Sequence, residues 1–134
     1  MEGEKYIEGY MERRKFARIA LRSKITFSII DTEGKKISEE KFHAIGKNIG
    51  AAGLHFTSDK ELKPGTILDL EILLPKETDP VRIKGEVVWS AVFESDGKID
   101  TGVKFLTIDK NHVLLLVKYV CGNLGLDIIK NSEN

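Results

Sequence analysis

The chain has a single cysteine, Cys121, so it can form no intrachain disulfide and has no Cys-x-x-Cys pair to hold a metal. That cysteine lies in a strongly apolar segment, where a buried, inert thiol is expected. Charge of neither sign is in excess: 21 basic residues balance 21 acidic ones, which gives no bulk attraction to nucleic acid or to an acidic membrane. Long apolar runs are missing too. The longest, Val113 to Val120, contains Lys118 and is far too short to cross a bilayer. The first residues, Met1-Glu2-Gly3-Glu4-Lys5, lack the apolar core of a secretion signal, so a cytoplasmic location is the expectation. Gly-x-Gly-x-x-Gly, phosphate-binding loops, βαβ alternation, internal repeats and low-complexity segments are all absent.

The residues of enzymatic chemistry are scattered. His43, His55 and His112 stand at no metal-ligand spacing, and lone histidines on strands are expected at the surface or satisfied in the core. No serine occupies a nucleophile-elbow setting, and Glu39-Glu40 reads as a solvated stretch rather than an acid–base pair. An enzyme therefore ranks last, and a binding module without cofactor or metal ranks first.

What is present is alternation. The 134 residues make one domain, large enough to bury its own core. A strand-like pattern runs from Arg18 to Ile30, with Ile25, Phe27 and Ile29 against Lys24, Thr26 and Ser28. Further strands are expected over Lys41–Ile49, Gly53–Thr57, Ile67–Leu74, Val81–Phe93 and Ile99–Leu106. Turn signals separate them: Asp31-Thr32-Glu33-Gly34, Lys63-Pro64-Gly65-Thr66, the loop holding Pro75 and Pro80, and Asp96-Gly97. Thr107 or Asp109 can cap a helix that carries Val113, Leu116, Val117 and Val120 on one face, with Gly122 ending it. The fold class is thus all-β with one closing helix: a six-stranded antiparallel β-barrel plus a C-terminal α-helix. Residues 1–12 are expected to form an N-terminal arm, 13–122 the barrel with its helix, and 123–134 a tail whose Leu124, Leu126, Ile128 and Ile129 dock on the domain or on a partner. Trp89 shares a predicted strand face with Val87 and Ile83 and is expected in the core, while Phe16 anchors the arm.

Two segments carry chemistry. Between Glu12 and Lys24 stand Arg13, Arg14, Lys15, Arg18, Arg22 and Lys24 against one acid, so electrostatic recognition is local. Arginine offers a planar fork that grips phosphate and stacks on flat rings, which lysine cannot copy. The second segment is Asn48-Ile49-Gly50-Ala51-Ala52-Gly53, a polar amide followed by small residues that let a ligand approach the backbone. Together they point to a phosphate-bearing ligand that contains a purine. Read without function, Arg18 pairs with an acid at the barrel rim, Asn48 caps a turn, and Gly50 and Gly53 merely permit it.

Over roughly residues 12 to 122 the chain resembles the PilZ domain, the cyclic di-GMP receptor module of bacteria. Arg14-Lys15-Phe16-Ala17-Arg18 fits that family's RxxxR element, and Asn48 to Gly53 aligns with its (D/N)xSxxG element. Pro64-Gly65-Thr66-Ile67-Leu68-Asp69-Leu70, Gly85-Glu86-Val87-Val88-Trp89 and Thr101-Gly102-Val103-Lys104-Phe105 follow in the family's order. The resemblance implies a cyclic di-GMP site formed by Arg13, Arg14, Arg18, Asn48, Gly50 and Gly53. It also implies an arginine arm that changes conformation on binding, and relay of the signal to an unidentified effector protein. One departure is Gly50 where the family has serine, which removes a neutral hydrogen bond worth about 0.5–1.5 kcal/mol. Arginine contacts of about 1.5–3 kcal/mol each outweigh that loss, so weakened binding is expected rather than none. The alternatives are a degenerate adaptor of pilus or motility machinery that binds no nucleotide, and a single-stranded nucleic-acid binder, which the balanced charge and the few aromatics outside core positions disfavour.

Overall fold

The structure is a computed structural model that describes residues 19–92 and 96–123. The N-terminal arm, Arg13, Arg14, Phe16 and Arg18, and the tail from Leu124 onward lie outside the described residues. Seven strands are described: β1 (Ile19–Ala20), β2 (Lys24–Ile30), β3 (Phe42–Ile49), β4 (Gly53–Ser58), β5 (Ile67–Ile72), β6 (Val81–Val92) and β7 (Ile99–Ile108). One helix, α1 (Val113–Asn123), follows. The lateral order β3-β2-β5-β6-β7-β4 closes through a β3–β4 pairing, and every pairing is antiparallel, which gives the six-stranded barrel read from the alternation. Closure leaves no long edge exposed to pair with another chain.

The seventh strand arises because the run from Arg18 to Ile30 is broken. β1 and β2 both lie along the same strand, β3: Ile19 and Ala20 pair Ile49 and Asn48, while Lys24 to Phe27 pair Ile45 to Phe42. The link between them stays tied to β3, with Leu21 N–H donating to Lys47 O at 2.9 Å and Gly46 N–H donating to Ser23 O at 2.9 Å.

Alternation decides what is inside. Along β5, Leu68, Leu70 and Ile72 are buried while Ile67, Asp69 and Glu71 are partly exposed. Phe27 and Phe56 are fully buried, with ring centroids 5.3 Å apart, and the Phe42 ring also lies 5.3 Å from Phe27. Burying each such side chain stabilises the fold by about 1.5–3 kcal/mol. Leu116 and Val120 of α1 join this core, with Leu115 and Tyr119 packed beside them. The inward stripe is therefore rotated from the one read in the sequence, since Val113 is exposed. Asp109 does cap the turn before α1, accepting from Asn111 N–H at 2.9 Å, and the helix runs on through Gly122 to Asn123. Cys121 is half-buried rather than buried.

The turns obey their chemistry. Lys63 O accepts from Thr66 N–H at 3.1 Å across Pro64 and Gly65, and Gly65 takes the positive φ of 94° that a type II turn demands. Trp89 departs from expectation. A register shift between Val87 and Trp89 inserts one extra residue, so the parity that puts Ile83 and Val87 inside puts Trp89 outside, 43% exposed.

Candidate functional site

Asn48 lies near the end of β3, next to a hairpin whose geometry follows from its sequence. Gly50 N–H donates to Gly53 O at 2.9 Å, leaving Ala51 and Ala52 as a two-residue loop. Counting back from that closing pair sets Ile49 opposite Leu54 and Asn48 opposite His55. Gly53 has a packing reason of its own: a Cβ there would stand 2.2 Å from the backbone oxygen of Val103, so only glycine lets β4 lie this close to β7. A second register shift, between Gly46 and Asn48, makes Lys47 an extra residue on β3 and leaves Lys47 exposed with Asn48 half-buried beside it.

The pairings continue across the sheet. Ala20 on β1 pairs Asn48 on β3, Asn48 pairs His55 on β4, His55 pairs Gly102 on β7, and Gly102 pairs Trp89 on β6. These five residues form one row across the outer face of the barrel. Asn48 Nδ2 lies 3.3 Å from His55 Nδ1. The rings of His55 and Trp89 meet edge to face at 4.9 Å. The indole sits directly over Gly102, where a Cβ would be 2.2 Å from Trp89 Nε1. Gly102 is thus the floor on which the ring rests.

Beside this row, on the same face, is one buried carboxylate. Asp100, 3% exposed, accepts from Thr57 Oγ1 at 2.8 Å and from Lys47 Nζ at 3.2 Å. Its Oδ2 is also 3.2 Å from His55 Nε2, although off the axis of a hydrogen bond. Burial alone would raise the Asp100 carboxyl. The hydrogen bonds from Thr57 and Lys47, with the electrostatic pull of His55 and Lys47, more than offset it and hold the group below the ordinary carboxylate range. Asp100 therefore stays ionised, a fixed acceptor beside the exposed row.

Of the residues proposed from the sequence, Asn48, Gly50 and Gly53 fall on one hairpin, while Arg13, Arg14 and Arg18 lie outside the described residues. Ile19, covalently joined to Arg18, pairs Ile49 beside Asn48. His55, Trp89 and Asp100 escaped the sequence reading. His55 could have been found by counting the register outward from a two-residue loop; Trp89 could not, because a bulge leaves no mark in the alternation. Chemically the face offers an amide that donates and accepts, an aromatic surface and a lysine, a set suited to a planar, hydrogen-bonding, anionic ligand. Among the described residues no three His, Cys, Asp or Glu side chains gather as a metal site, and no helix is long and apolar enough to cross a membrane.

Comparison with known proteins gives the following. The family whose model matches is the PilZ domain, over residues 12–122. No curated protein matches by sequence. Among solved structures, the inhibitor of motility MotI/DgrA of Bacillus subtilis superposes with a TM-score of 0.64 at 17% identity, over 80% of this chain and 49% of that one. MrkH of K. pneumonia, described as a c-di-GMP-dependent transcription regulatory factor, gives 0.60 at 15% identity, over 80% and 49%. The PilZ domain of YcgR from Escherichia coli, solved with c-di-GMP, gives 0.55 at 9% identity, over 84% and 92%. The chain thus spans about half the length of MotI and MrkH and nearly all of the isolated YcgR domain.

Proposed function

The chain belongs to the PilZ domain family, and from that premise we propose that it is a cyclic di-GMP receptor, not an enzyme, whose ligand lies on the outer face that carries Asn48. The observation that carries this reading is the continuous row from Ala20 through Asn48 and His55 to Trp89, which begins on the strand directly following the arginine segment. Arg14 and Arg18 clamp phosphates and the O6 and N7 acceptors of guanine, and stack on its face; Arg13 adds a further cationic contact. Asn48 hydrogen-bonds the guanine edge. Gly50 and Gly53 admit the ligand close to the hairpin backbone. Trp89, exposed and seated on Gly102, supplies an aromatic surface at the far end of the row. Binding draws the arm that precedes Arg18 onto the barrel and presents a new surface to an effector protein. A ligand can do this only through its higher affinity for the docked arm.

Gly50 supports a second reading, an adaptor that has lost nucleotide binding and acts through protein contacts alone. Calorimetric titration of the full chain with cyclic di-GMP, beside Arg14→Ala, separates the two. Saturable binding that the variant loses is the expected result. No heat from the wild type overturns the receptor reading and leaves the adaptor.

A further inference from the structure

The geometry points to Asp100 as a positioning residue that, acting through His55, decides which end of the Asn48 amide faces the ligand. The ligand part of this inference rests on the receptor reading above; the part internal to the protein does not.

An asparagine amide is nearly symmetric in shape but opposite in chemistry at its two ends. Something must therefore fix its orientation if it is to discriminate between ring edges. Here the candidate is a chain of three side chains. Neutral imidazole carries one proton and one bare nitrogen, and its partners choose which is which. His55 Nε2 lies 3.2 Å from Asp100 Oδ2, off the axis of a hydrogen bond, and the negative charge that close favours the proton on Nε2 rather than a bare lone pair. Nδ1 is then bare. It accepts from Asn48 Nδ2 at 3.3 Å, which turns the amide nitrogen toward His55 and the carbonyl oxygen away from it. Guanine's N1–H and N2–H groups are donors, whereas adenine offers an acceptor at N1. Adenine's donor on this edge, N6–H2, stands where guanine has O6, so an outward carbonyl held at the N1–N2 side of the ring selects guanine.

The carboxylate is itself held. Thr57 Oγ1 donates to Oδ1 at 2.8 Å, and Lys47 Nζ donates to Oδ2 at 3.2 Å. In Asp100→Asn, keeping the Thr57 bond leaves an NH2 where Oδ2 was; Lys47, exposed and no longer drawn by the carboxylate, turns out to solvent, and the NH2 donates toward His55 Nε2. The imidazole proton then moves to Nδ1, the Asn48 amide turns over, and its N–H meets the donors of guanine. The edge contact between His55 and Trp89 fixes the plane in which this exchange takes place.

The test has two independent readouts. Long-range nitrogen–proton correlation on the ligand-free chain identifies the protonated nitrogen of His55. The expected result is Nε2–H in the wild type and Nδ1–H in Asp100→Asn. An Nδ1–H wild type, or a tautomer unchanged by the substitution, overturns the inference whatever the ligand does. Calorimetry with cyclic di-GMP and cyclic di-AMP supplies the second readout: Asp100→Asn should lose roughly tenfold in preference for the guanine ligand, the size of one hydrogen bond turned unfavourable. A tautomer exchange with unaltered preference overturns the specificity role. A tautomer exchange in a chain whose wild type binds no cyclic di-GMP supports the relay and removes the receptor reading instead. Should Asp100→Asn not fold, His55→Phe keeps a ring against Trp89 and removes both nitrogens. The Asn48 side-chain amide resonances must then shift, and unmoved resonances overturn the relay.

Discussion

Gly102→Ala probes the outer row at its floor. A methyl placed there would lie 2.2 Å from Trp89 Nε1, 2.5 Å from Cε2 and 2.8 Å from Cδ1, all well inside contact distance. The backbone of β7 is pinned on both sides, by β4 and β6, so the indole must give way, retreating by about 1 Å or more to regain ordinary contact. Overpacking of this kind costs about 1–3 kcal/mol in a closed core. Trp89 is 43% exposed and can swing outward, which places the steric part near the low end, about 1 kcal/mol. Opening the 4.9 Å contact with His55 adds about 0.5–1.5 kcal/mol. The total expected loss is about 1.5–2.5 kcal/mol, read as a lower urea midpoint by circular dichroism with an unchanged slope. Because Trp89 is the sole tryptophan, its emission maximum reports the displacement directly and should move to the red. An unchanged midpoint together with an unchanged emission maximum would refute the seating of the indole on Gly102.

Three other outcomes are expected. Gly50→Ser restores a hydroxyl at the hairpin and should tighten cyclic di-GMP binding by roughly two- to tenfold in calorimetry; weaker binding would mean that the backbone there must stay bare. Phe56→Ala removes a fully buried ring 5.3 Å from Phe27 and should cost about 3–5 kcal/mol in equilibrium unfolding, with a small effect arguing that the barrel interior can collapse around the void. Asp100, depressed below its ordinary 3.8, stabilises the fold fully above that value and loses its contribution as pH falls through the lower folded-state value; the acid limb of stability against pH should therefore be shallower in Asp100→Asn, and an identical limb would show that the carboxylate is not held by Thr57 and Lys47.

Most of the barrel was legible because its rules are local. A period of two marks β5 and the first half of β6, Pro64-Gly65 carries its turn type in its residues, and strand ends fell within about two residues of the expected positions. The departures have one physical origin: irregularities that no pattern announces. A break after Ala20 turns one predicted strand into β1 and β2. A bulge after Val87 carries Trp89 from the inside to the outside, and another at Lys47 turns Lys47 and Asn48 together toward one face. The site was legible only in the part that lies along the chain. Asn48 and its hairpin could be read as a motif, while the Asp100–His55–Asn48 contacts join residues on β7, β4 and β3 and exist only once the register is set.

That distribution bears on how the proposed receptor would signal. β1 is two residues long and holds to β3 through Ile19–Ile49 and Ala20–Asn48, so the chain that leaves the barrel toward the arginines does so at the very edge that presents Asn48. A ligand gripped by both Asn48 and the arginines stabilises only those conformations in which the arm lies on this face. Its leverage equals the free energy of the arginine contacts alone, since the Asn48 contacts are available whether or not the arm is docked. Two charge-assisted contacts of about 1.5–3 kcal/mol each shift the arm by at least a hundredfold, enough to convert a minor docked population into the major one. Removing the arginines should thus abolish the arm's response and leave at Asn48 only contacts too weak to saturate in calorimetry. Removing Asn48 should weaken both together. Amide exchange over residues 1 to 18, measured with and without cyclic di-GMP in Arg14→Ala and Asn48→Ala, separates these roles; equal protection in both variants would mean that the arm and the face are not coupled through the ligand.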